Sequence, residues 1–273
     1  MKIWLDGALR DSGDARVSVL DHGLTVGDGV FETVETRRGA PFALTRHLAR
    51  LARSARGLGL PEPDLDEVRR ACEALLAEDA PTRGRLRITY TGGVAPLGSD
   101  RGDAPPTLVA ALGEIGPSAP TSAAVTVPWV RNERGALSGL KTTSYGENVV
   151  ALAHAQRAGA SEALFGNTVG ALCEGTGSNV FVVLDGELLT PPLSSGCLAG
   201  ITRELVVEWS GATERDLPLE VLTRAEEVFL TGTLRGVQGL HRVDDRELPG
   251  APGPVTAKAQ AVFAERSAAD IDP

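Results

Sequence analysis

Lysine is scarce in this chain of 273 residues: only Lys2, Lys141 and Lys258 occur among its 27 basic residues. Chemistry that depends on a primary amine therefore has few possible positions. Lys2 lies at the N-terminal end, and Lys258 lies in a segment whose apolar spacing predicts an exposed helix. Lys141 has no acidic residue nearer in sequence than Glu133 and Glu147, which makes it the candidate for a functional lysine.

Cysteines and long apolar runs are also lacking. Cys72, Cys173 and Cys197 are odd in number and have no CxxC spacing. We therefore expect three buried thiols in a reducing compartment, with neither a disulfide framework nor a metal site. No apolar run reaches the roughly 18 to 20 residues of a membrane span, and the first residues lack the apolar core of a signal peptide. These absences predict a cytoplasmic protein without membrane contact.

The charge balance is acidic. The 36 acidic residues outnumber the 27 basic ones, which gives a net charge of -9 and an isoelectric point near 5.1. Such a charge argues against binding to nucleic acid. The content of 42% hydrophobic and 23% charged residues excludes a disordered, collagen-like or coiled-coil chain.

Three segments divide the sequence. Residues 1–112 mix predicted strands and helices, residues 113–122 are rich in glycine, proline and serine, and residues 123–273 carry many short predicted strands. The middle segment is typical of an interdomain linker, so we expect a small N-terminal and a larger C-terminal domain. Hairpin-length connections outnumber helical crossovers, which predicts an α+β fold with mainly antiparallel sheets.

Local signals predict individual elements within these segments. A hairpin is expected to turn at residues 38–39, and a helix to begin after Thr45 as its N-cap. A second helix is expected within residues 61–81 and a third over residues 145–157. The C-terminal end is also predicted to be helical.

A glycine-rich stretch, DHGLTVGDGVFE, occupies residues 21–32. A dinucleotide-binding loop would require GxGxxG between a strand and a helix, whereas the alternation in VFETVET predicts a strand after these glycines. This excludes a Rossmann fold. The stretch is either a tight loop beside a cleft or an ordinary β-turn.

Two further stretches offer groups that bind anions. In GCLAGITRE, Ile201 and Thr202 lie at a predicted helix N-terminus, where unpaired N–H groups and the positive dipole end suit a phosphate. The alternative is that Thr202 only caps the helix. In LTGTLRG, Thr233 and Arg235 end a predicted strand, where they could bind an anion or form a plain polar turn.

Glu174 lies between an apolar strand and a Gly-Thr-Gly turn, either as a solvated residue or as a partner for a cationic ring nitrogen. His47 and Arg50 share one face of a predicted helix, whose simple interpretation is a solvated, arginine-rich face. With Lys141, these are the groups that pyridoxal phosphate requires. An amine forms the Schiff base, an acid keeps the pyridine nitrogen protonated, and N–H groups with an arginine hold the phosphate.

The order of these motifs resembles that of the class IV aminotransferases over nearly the whole chain. The matching segments are GDGVFET, HLARLARSA, LKTTSY with AHAQRAGASEALF, CEGTGSNVFVV, TPPLSSGCLAGITRE and EEVFLTGT. The family contains branched-chain aminotransferases, D-amino acid aminotransferases, (R)-amine transaminases and aminodeoxychorismate lyases. The resemblance implies a two-domain enzyme of fold type IV with pyridoxal 5'-phosphate as cofactor. Its small domain would be α/β, and its larger domain would hold a mostly antiparallel, barrel-like sheet.

The resemblance also implies roles for individual residues. Lys141 is similar to the Schiff-base lysine, Glu174 to the partner of the pyridine nitrogen, and Arg50 to the phosphate-binding arginine. The remaining implied phosphate ligands are the amides of Ile201 and Thr202 and the hydroxyl of Thr233. Tyr145 resembles the tyrosine that contacts the cofactor's phenolic oxygen in branched-chain enzymes, although its spacing from the lysine is one residue shorter.

The substrate is less closely defined by the resemblance. D-amino acid enzymes place a tyrosine and an arginine where this chain has Phe31 and Thr91, so Arg235 or, less directly, Arg37 is the expected carboxylate anchor. We expect a transaminase of the D-amino acid type that also accepts (R)-amines and uses a 2-oxo acid as acceptor. The alternatives are an aminodeoxychorismate lyase that releases pyruvate and 4-aminobenzoate, a branched-chain L-amino acid aminotransferase, and a fold relative that binds a ligand without catalysis. The resemblance further implies a homodimer with an active site between the two domains, closed by a loop of the partner subunit.

Overall fold

The computed structural model describes residues 1–248 and 250–273. These residues form two compact units. The first contains residues 1–117, 140–144 and 271–273, and the second contains residues 118–139 and 145–270. The predicted domain boundaries, with a linker over residues 113–122, remain a prediction.

The first unit contains an antiparallel sheet and three helices. Its strands are β1 (Lys2–Leu5), β2 (Ala8–Asp11), β3 (Gly29–Arg37), β4 (Ala40–Pro41), β5 (Arg83–Thr91) and β6 (Thr107–Glu114), in the order β2-β1-β6-β5-β3-β4. Its helices are α1 (His22–Thr25), α2 (Leu44–Leu58) and α3 (Leu65–Glu78). The hairpin between β3 and β4 turns at residues 38–39, as the sequence predicts. Leucines and valines of β3, β5, α2 and α3 form its core, which burial of apolar surface stabilises.

The second unit contains a larger sheet and three helices. Its strands are β7 (Thr121–Arg131), β8 (Glu162–Asn167), β9 (Leu172–Gly175), β10 (Asn179–Leu184), β11 (Glu187–Thr190), β12 (Thr213–Glu214), β13 (Glu227–Gly232), β14 (Gly236–Val243) and β15 (Arg246–Glu247). Its helices are α4 (Gly146–Arg157), α5 (Ile201–Ser210) and α6 (Pro254–Ala269). The sheet runs β12-β11-β10-β13-β14-β7-β8-β9, with β15 beside β14. Most of its pairs are antiparallel, while β7 pairs in parallel with both β8 and β14. The predicted α+β class is confirmed.

The N-cap prediction for α2 is wrong. The helix begins at Leu44, and its N-cap is Ala43, whose φ of 53° is left-handed and whose side chain makes no cap. The amide and hydroxyl of Thr45 instead donate to the carboxylate of Asp272, at 2.8 and 2.6 Å. A partner 227 residues away supplies the cap, and a local sequence signal cannot reveal it.

Other predictions concern loops and thiols. The stretch over residues 21–32 contains the single-turn helix α1 and then enters strand β3, so no helix follows the glycines. All three cysteines are buried free thiols, as expected. Across residues 1–248 and 250–273, none of the helices combines the length and the apolar character that crossing a membrane would require.

Candidate active site

Lys141 is held in a short segment that runs along strand β3 of the first unit. Its carbonyl oxygen accepts from the amide of Phe31 at 3.0 Å, and its own amide donates to Ser54 Oγ at 3.2 Å. The amide of Thr143 donates to Gly29 O at 2.8 Å. The lysine itself lies outside any helix or strand, and hydrogen bonds to β3 and to Ser54 of α2 fix its backbone.

The glycines of GDGVF allow this close approach. Thr143 Oγ1 donates to the carbonyls of Gly27 and Gly29, at 3.0 and 3.2 Å. Gly27 has a left-handed φ of 71°, and a Cβ on it would lie 2.7 Å from Ser144 Oγ. A side chain at Gly27 would be strained by this φ and would displace the Ser144 hydroxyl from its hydrogen bond to Gly27 O.

The side chain of Lys141 lies beside an aromatic ring. Its Nζ is 4.3 Å from the ring centroid of Phe31, and the guanidinium carbon of Arg87 is 3.4 Å from the same centroid. Both are cation–π distances. Sequence reasoning missed Arg87. A signal was available, because Thr89 is the cross-strand partner of Phe31 and Arg87 lies two residues before it on the same strand.

Arg50 belongs to a buried ionic cluster with Glu32 and His47. Arg50 Nε and Nη2 donate to Glu32 Oε1 and Oε2, at 2.8 and 2.7 Å. His47 Nδ1 is 2.7 Å from Glu32 Oε2. The interpretation of this helix face as solvated is wrong, because His47 is 1% and Arg50 3% exposed.

The pKa values of this cluster reflect both its burial and its charges. Burial alone would raise the pKa of Glu32. The charges and hydrogen bonds of Arg50 and His47 favour the carboxylate more strongly, so the pKa of Glu32 lies far below its usual range. Burial lowers the pKa of His47, and the charges of Arg50 and Lys141 add to that lowering, while Glu32 opposes it. Glu32 is therefore the anionic centre of the cluster. Sequence reasoning did not single it out, and the role of Arg50 toward a phosphate stays a prediction.

Glu174 of the second unit is held on both oxygens. Its Oε2 accepts from the amide of Leu198 at 2.9 Å, and its Oε1 lies 3.2 Å from Arg131 Nε. The Glu174 side chain is only 13% exposed, so its charge is poorly screened by water. Tyr145, the N-cap of α4, lies at the edge of this region, with its hydroxyl 3.5 Å from Thr176 O.

The N-terminus of α5 has the features of an anion site. Ile201 and Thr202 are the first two residues of α5, and both are buried. Because they lie in the first turn, their amide N–H groups have no intrahelical partners. Gly200 precedes them, and a Cβ on it would lie 2.1 Å from Asn179 Oδ1. Glycine at this position therefore leaves room for the backbone to pass close to the side chain of Asn179.

A buried hydroxyl provides an independent sign of a missing partner. Thr231 Oγ1, on β13, has no hydrogen-bond partner among residues 1–248 and 250–273. An unpaired buried hydroxyl is costly, and a ligand that accepts its proton would remove that cost. Thr233, the predicted ligand, follows two residues later and is half-buried.

The two predicted carboxylate anchors already bind groups of the chain. Arg235 Nη1 donates to Gln238 Oε1 at 2.6 Å, and its Nη2 donates to Ser161 O at 2.9 Å and lies 3.6 Å from Glu162 Oε2. Arg37 Nε donates to Glu35 Oε2 at 2.8 Å. Among the proposed substrate residues, Phe31 contacts Lys141 in the first unit.

Each unit by itself offers groups of the kinds that pyridoxal phosphate requires. The first unit offers a fixed amine, and the second offers a fixed carboxylate, helix amides and an unpaired buried hydroxyl. This is the donor set for an aldehyde, a protonated ring nitrogen and a phosphate.

Known proteins resemble this chain over most of its length. A profile of the amino-transferase class IV family matches residues 29–243. A putative branched-chain-amino-acid aminotransferase of Methanocaldococcus jannaschii is 35% identical, over 96% of this chain and 95% of that protein. A bifunctional aminodeoxychorismate lyase / D-amino acid transaminase of Mycobacterium tuberculosis is 32% identical, over 92% and 94%.

Solved structures are similar as well. The branched-chain aminotransferase of Thermoproteus uzoniensis superposes with a TM-score of 0.91 and 30% identity, over 97% of this chain and 94% of that one. A hypothetical aminotransferase from Mycobacterium tuberculosis in its PLP-bound form gives a TM-score of 0.85 and 27% identity, over 97% and 98%. This chain therefore belongs to the class IV aminotransferases, pyridoxal-phosphate enzymes of fold type IV.

Proposed function

We propose that this aminotransferase moves the amino group of a D-amino acid to a 2-oxo acid, with Lys141 as its catalytic residue. The observation that carries the assignment of the lysine is its setting. Lys2 is ion-paired with Asp11, and Lys258 is exposed on α6, whereas Lys141 is fixed by backbone contacts beside the buried ring of Phe31. A nucleophilic amine requires such a fixed position.

The chain's residues then divide the work. Bound pyridoxal phosphate supplies an electron-accepting ring that stabilises negative charge at the substrate's Cα. Lys141 would hold the cofactor and, as a neutral amine, would accept and return the proton of the substrate's Cα. Glu174 keeps the ring nitrogen protonated, and Tyr145 hydrogen-bonds to the phenolic oxygen. The proposed phosphate ligands are Arg50, the amides of Ile201 and Thr202, and the hydroxyl of Thr233.

Two other substrates have specific support. The relative from Methanocaldococcus jannaschii and the structure from Thermoproteus uzoniensis are branched-chain enzymes by name, which favours L-leucine-type donors. The Mycobacterium tuberculosis relative is named for both lyase and D-amino acid activities, which supports the leading proposal and the lyase together. A single set of assays separates the three.

The assay follows the visible spectrum of the bound cofactor and the products, with D-alanine, L-leucine, (R)-1-phenylethylamine and aminodeoxychorismate supplied separately. Conversion of the cofactor to its amine form by D-alanine supports the proposal. Conversion by L-leucine alone would replace it with the branched-chain activity, and release of pyruvate with 4-aminobenzoate would replace it with the lyase. Borohydride reduction and peptide mapping should place the cofactor on Lys141, and labelling elsewhere would refute the assignment.

For the substrate carboxylate we propose Arg87 ahead of Arg235 and Arg37. Arg87 and Lys141 both lie over the ring of Phe31, at 3.4 and 4.3 Å from its centroid. Arg87→Ala should raise the KM for an amino acid about tenfold or more and leave the KM for (R)-1-phenylethylamine nearly unchanged.

Two variants serve as comparisons in that test. Arg85→Ala, at an exposed position on the same strand, is the control and should change neither KM. If Arg235→Ala gives the selective rise in KM and Arg87→Ala does not, Arg235 is the anchor.

We further propose a cytoplasmic homodimer. An exposed apolar surface supports it, formed by two segments of the first unit that run side by side, since Ala95 N donates to Leu20 O at 3.3 Å. Its exposed side chains are Val17, Val19, Leu20, Leu24, Val26, Val94 and Leu97. Exposed patches of this kind mark interaction surfaces. Leu24→Glu combined with Leu97→Glu should halve the mass measured by light scattering, and an unchanged mass would remove this surface from the dimer.

A further inference from the structure

We infer that Arg131 is a positioning residue that keeps the carboxylate of Glu174 ionised and fixed in orientation for the cofactor's ring nitrogen. The inference rests on the proposed role of Glu174. Arg131 ends strand β7 and was not among the residues expected from sequence.

The contact between the two side chains is electrostatic. Arg131 Nε lies 3.2 Å from Glu174 Oε1, and the side chains are 14% and 13% exposed. Within the described part of the chain, this Nε makes no hydrogen bond, so its N–H is not aligned with the carboxylate. At this separation and burial the guanidinium charge still strongly favours the ionised carboxylate.

The planar guanidinium group of Arg131 is itself held, on one face by an aromatic ring and at one edge by a hydrogen bond. Its guanidinium carbon is 4.1 Å from the ring centroid of Phe165, which is buried and is the cross-strand partner of Glu174. Its Nη1 donates to Asn148 Oδ1 at 3.1 Å. A flat guanidinium suits both contacts, and a lysine ammonium would keep only the charge.

Asn148 links this arrangement to the turn after Glu174. Its Nδ2 donates to the carbonyl of Thr176, two residues beyond the carboxylate. Arg131 thus contacts Glu174 through its own Nε and is tied, through Asn148, to the backbone that follows Glu174.

Each carboxylate oxygen can accept more than one hydrogen bond, so these contacts leave capacity for a ring N–H. A charged, oriented carboxylate is what a protonated pyridine nitrogen requires. Loss of Arg131 should therefore weaken cofactor binding, and it should do so only while Glu174 is present.

A double-mutant cycle on the full chain tests this dependence. The binding of pyridoxal phosphate to the apoprotein is titrated by fluorescence for wild type, Arg131→Gln, Glu174→Gln and the double variant. Arg131→Gln should weaken binding about tenfold in the wild-type background and less than about twofold in the Glu174→Gln background. Arg131→Lys should weaken binding only about threefold, because it keeps the charge. Arg134→Gln, three residues along, is the control and should bind normally.

The absorbance of the holoenzyme gives a second readout. Removing a positive charge near the cofactor favours its cationic form, so the pH midpoint of the visible band should rise in Arg131→Gln and stay unchanged in Arg134→Gln. Equal losses of affinity in both Glu174 backgrounds would overturn the inference. If Arg131→Gln does not fold, as judged by circular dichroism, the same comparison is made with Arg131→Lys. Failure of the wild-type apoprotein to bind the cofactor would refute the proposed function itself, a result distinct from these.

Discussion

Glu32 in the first unit and Glu162 in the second are both almost completely buried, but different kinds of groups hold them. Glu32 is bound by two side chains that can carry positive charge, Arg50 and His47. Glu162 accepts mainly from neutral donors, the amide and hydroxyl of Thr176 and the hydroxyl of Ser178 at 2.8 Å.

The difference lies in where the balancing charge is. For Glu32 that charge is buried with it, since Arg50 is 3% exposed. For Glu162 the nearest cation is Arg235, at 3.6 Å and 25% exposed, so the charge can still be hydrated. A buried pair is costly to form and costly to break on one side, whereas a carboxylate held by hydroxyls can be replaced more easily by a neutral group. The two sites thus predict substitutions of unequal effect.

The largest effect is expected for Glu32→Gln. The substitution leaves Arg50 buried without its counter-charge, and breaking a buried pair in this way costs about 3 to 5 kcal/mol. Urea unfolding of the apoprotein measures the loss. A loss below about 1 kcal/mol would show that Arg50 finds another partner and that the contrast with Glu162 is false.

Glu162→Gln should destabilise less, by about 1 to 3 kcal/mol, because the amide oxygen still accepts from Thr176 or Ser178 while its NH₂ group lacks an acceptor. Arg235 can turn toward water in this variant. The same urea experiment applies, with Glu162→Ala as the comparison that also removes the acceptor. A loss equal to that of Glu32→Gln would mean that Arg235, despite its exposure, acts as a buried counter-charge.

Sequence patterns singled out Lys141 as a candidate but did not single out Glu32, the buried carboxylate of the same unit. Lys141 was conspicuous because lysine is rare, and its strand and helix neighbours follow ordinary periodicity. A signal for Glu32 was available in the sequence. In strand β3 it lies two residues from both Val30 and Val34, which are fully buried, so all three side chains share the core face of the strand. A charged residue between two core valines indicates a buried partner of opposite charge. The sequence does not show that Arg50 and His47 are the partners of Glu32, because this depends on how α2 packs against β3.

Other features depend on contacts that no local pattern contains. Arg131 ends a strand after exposed Trp129 and Val130, and only the fold brings it to Glu174. The segment with Lys141 belongs to the first unit through hydrogen bonds to β3, although the sequence placed it in the C-terminal domain. The hairpin at residues 38–39, by contrast, follows from residues close in sequence and was predicted correctly.

His47→Gln tests the cationic side of the first cluster. Loss of the buried contact to Glu32 should cost about 1 to 2 kcal/mol near pH 7. The pKa of His47 is lowered from 6.5 in the folded protein, so below pH 6.5 the unfolded chain binds more protons and the protein loses stability as the pH is lowered. The variant should remove this part of the fall. The lowered pKa of Glu32 adds a further loss below about pH 4.3, which both proteins should share. Identical slopes of unfolding free energy between pH 6.5 and 5 would contradict the shift assigned to His47.

The smallest effect is expected at a third kind of carboxylate, exposed Asp272. It accepts from the amide and hydroxyl of Thr45 at the N-terminus of α2, the helix that carries His47 and Arg50. Because water screens this charge, Asp272→Ala should cost about 1 kcal/mol, the usual value for a helix cap. Asp64→Ala, which removes the local cap of α3, is the matched comparison and should cost about as much. If Asp272→Ala costs several times more than Asp64→Ala, the cap also holds the buried cluster in place. The loss from Asp272→Ala should then shrink in the Glu32→Gln background, where that cluster is already broken.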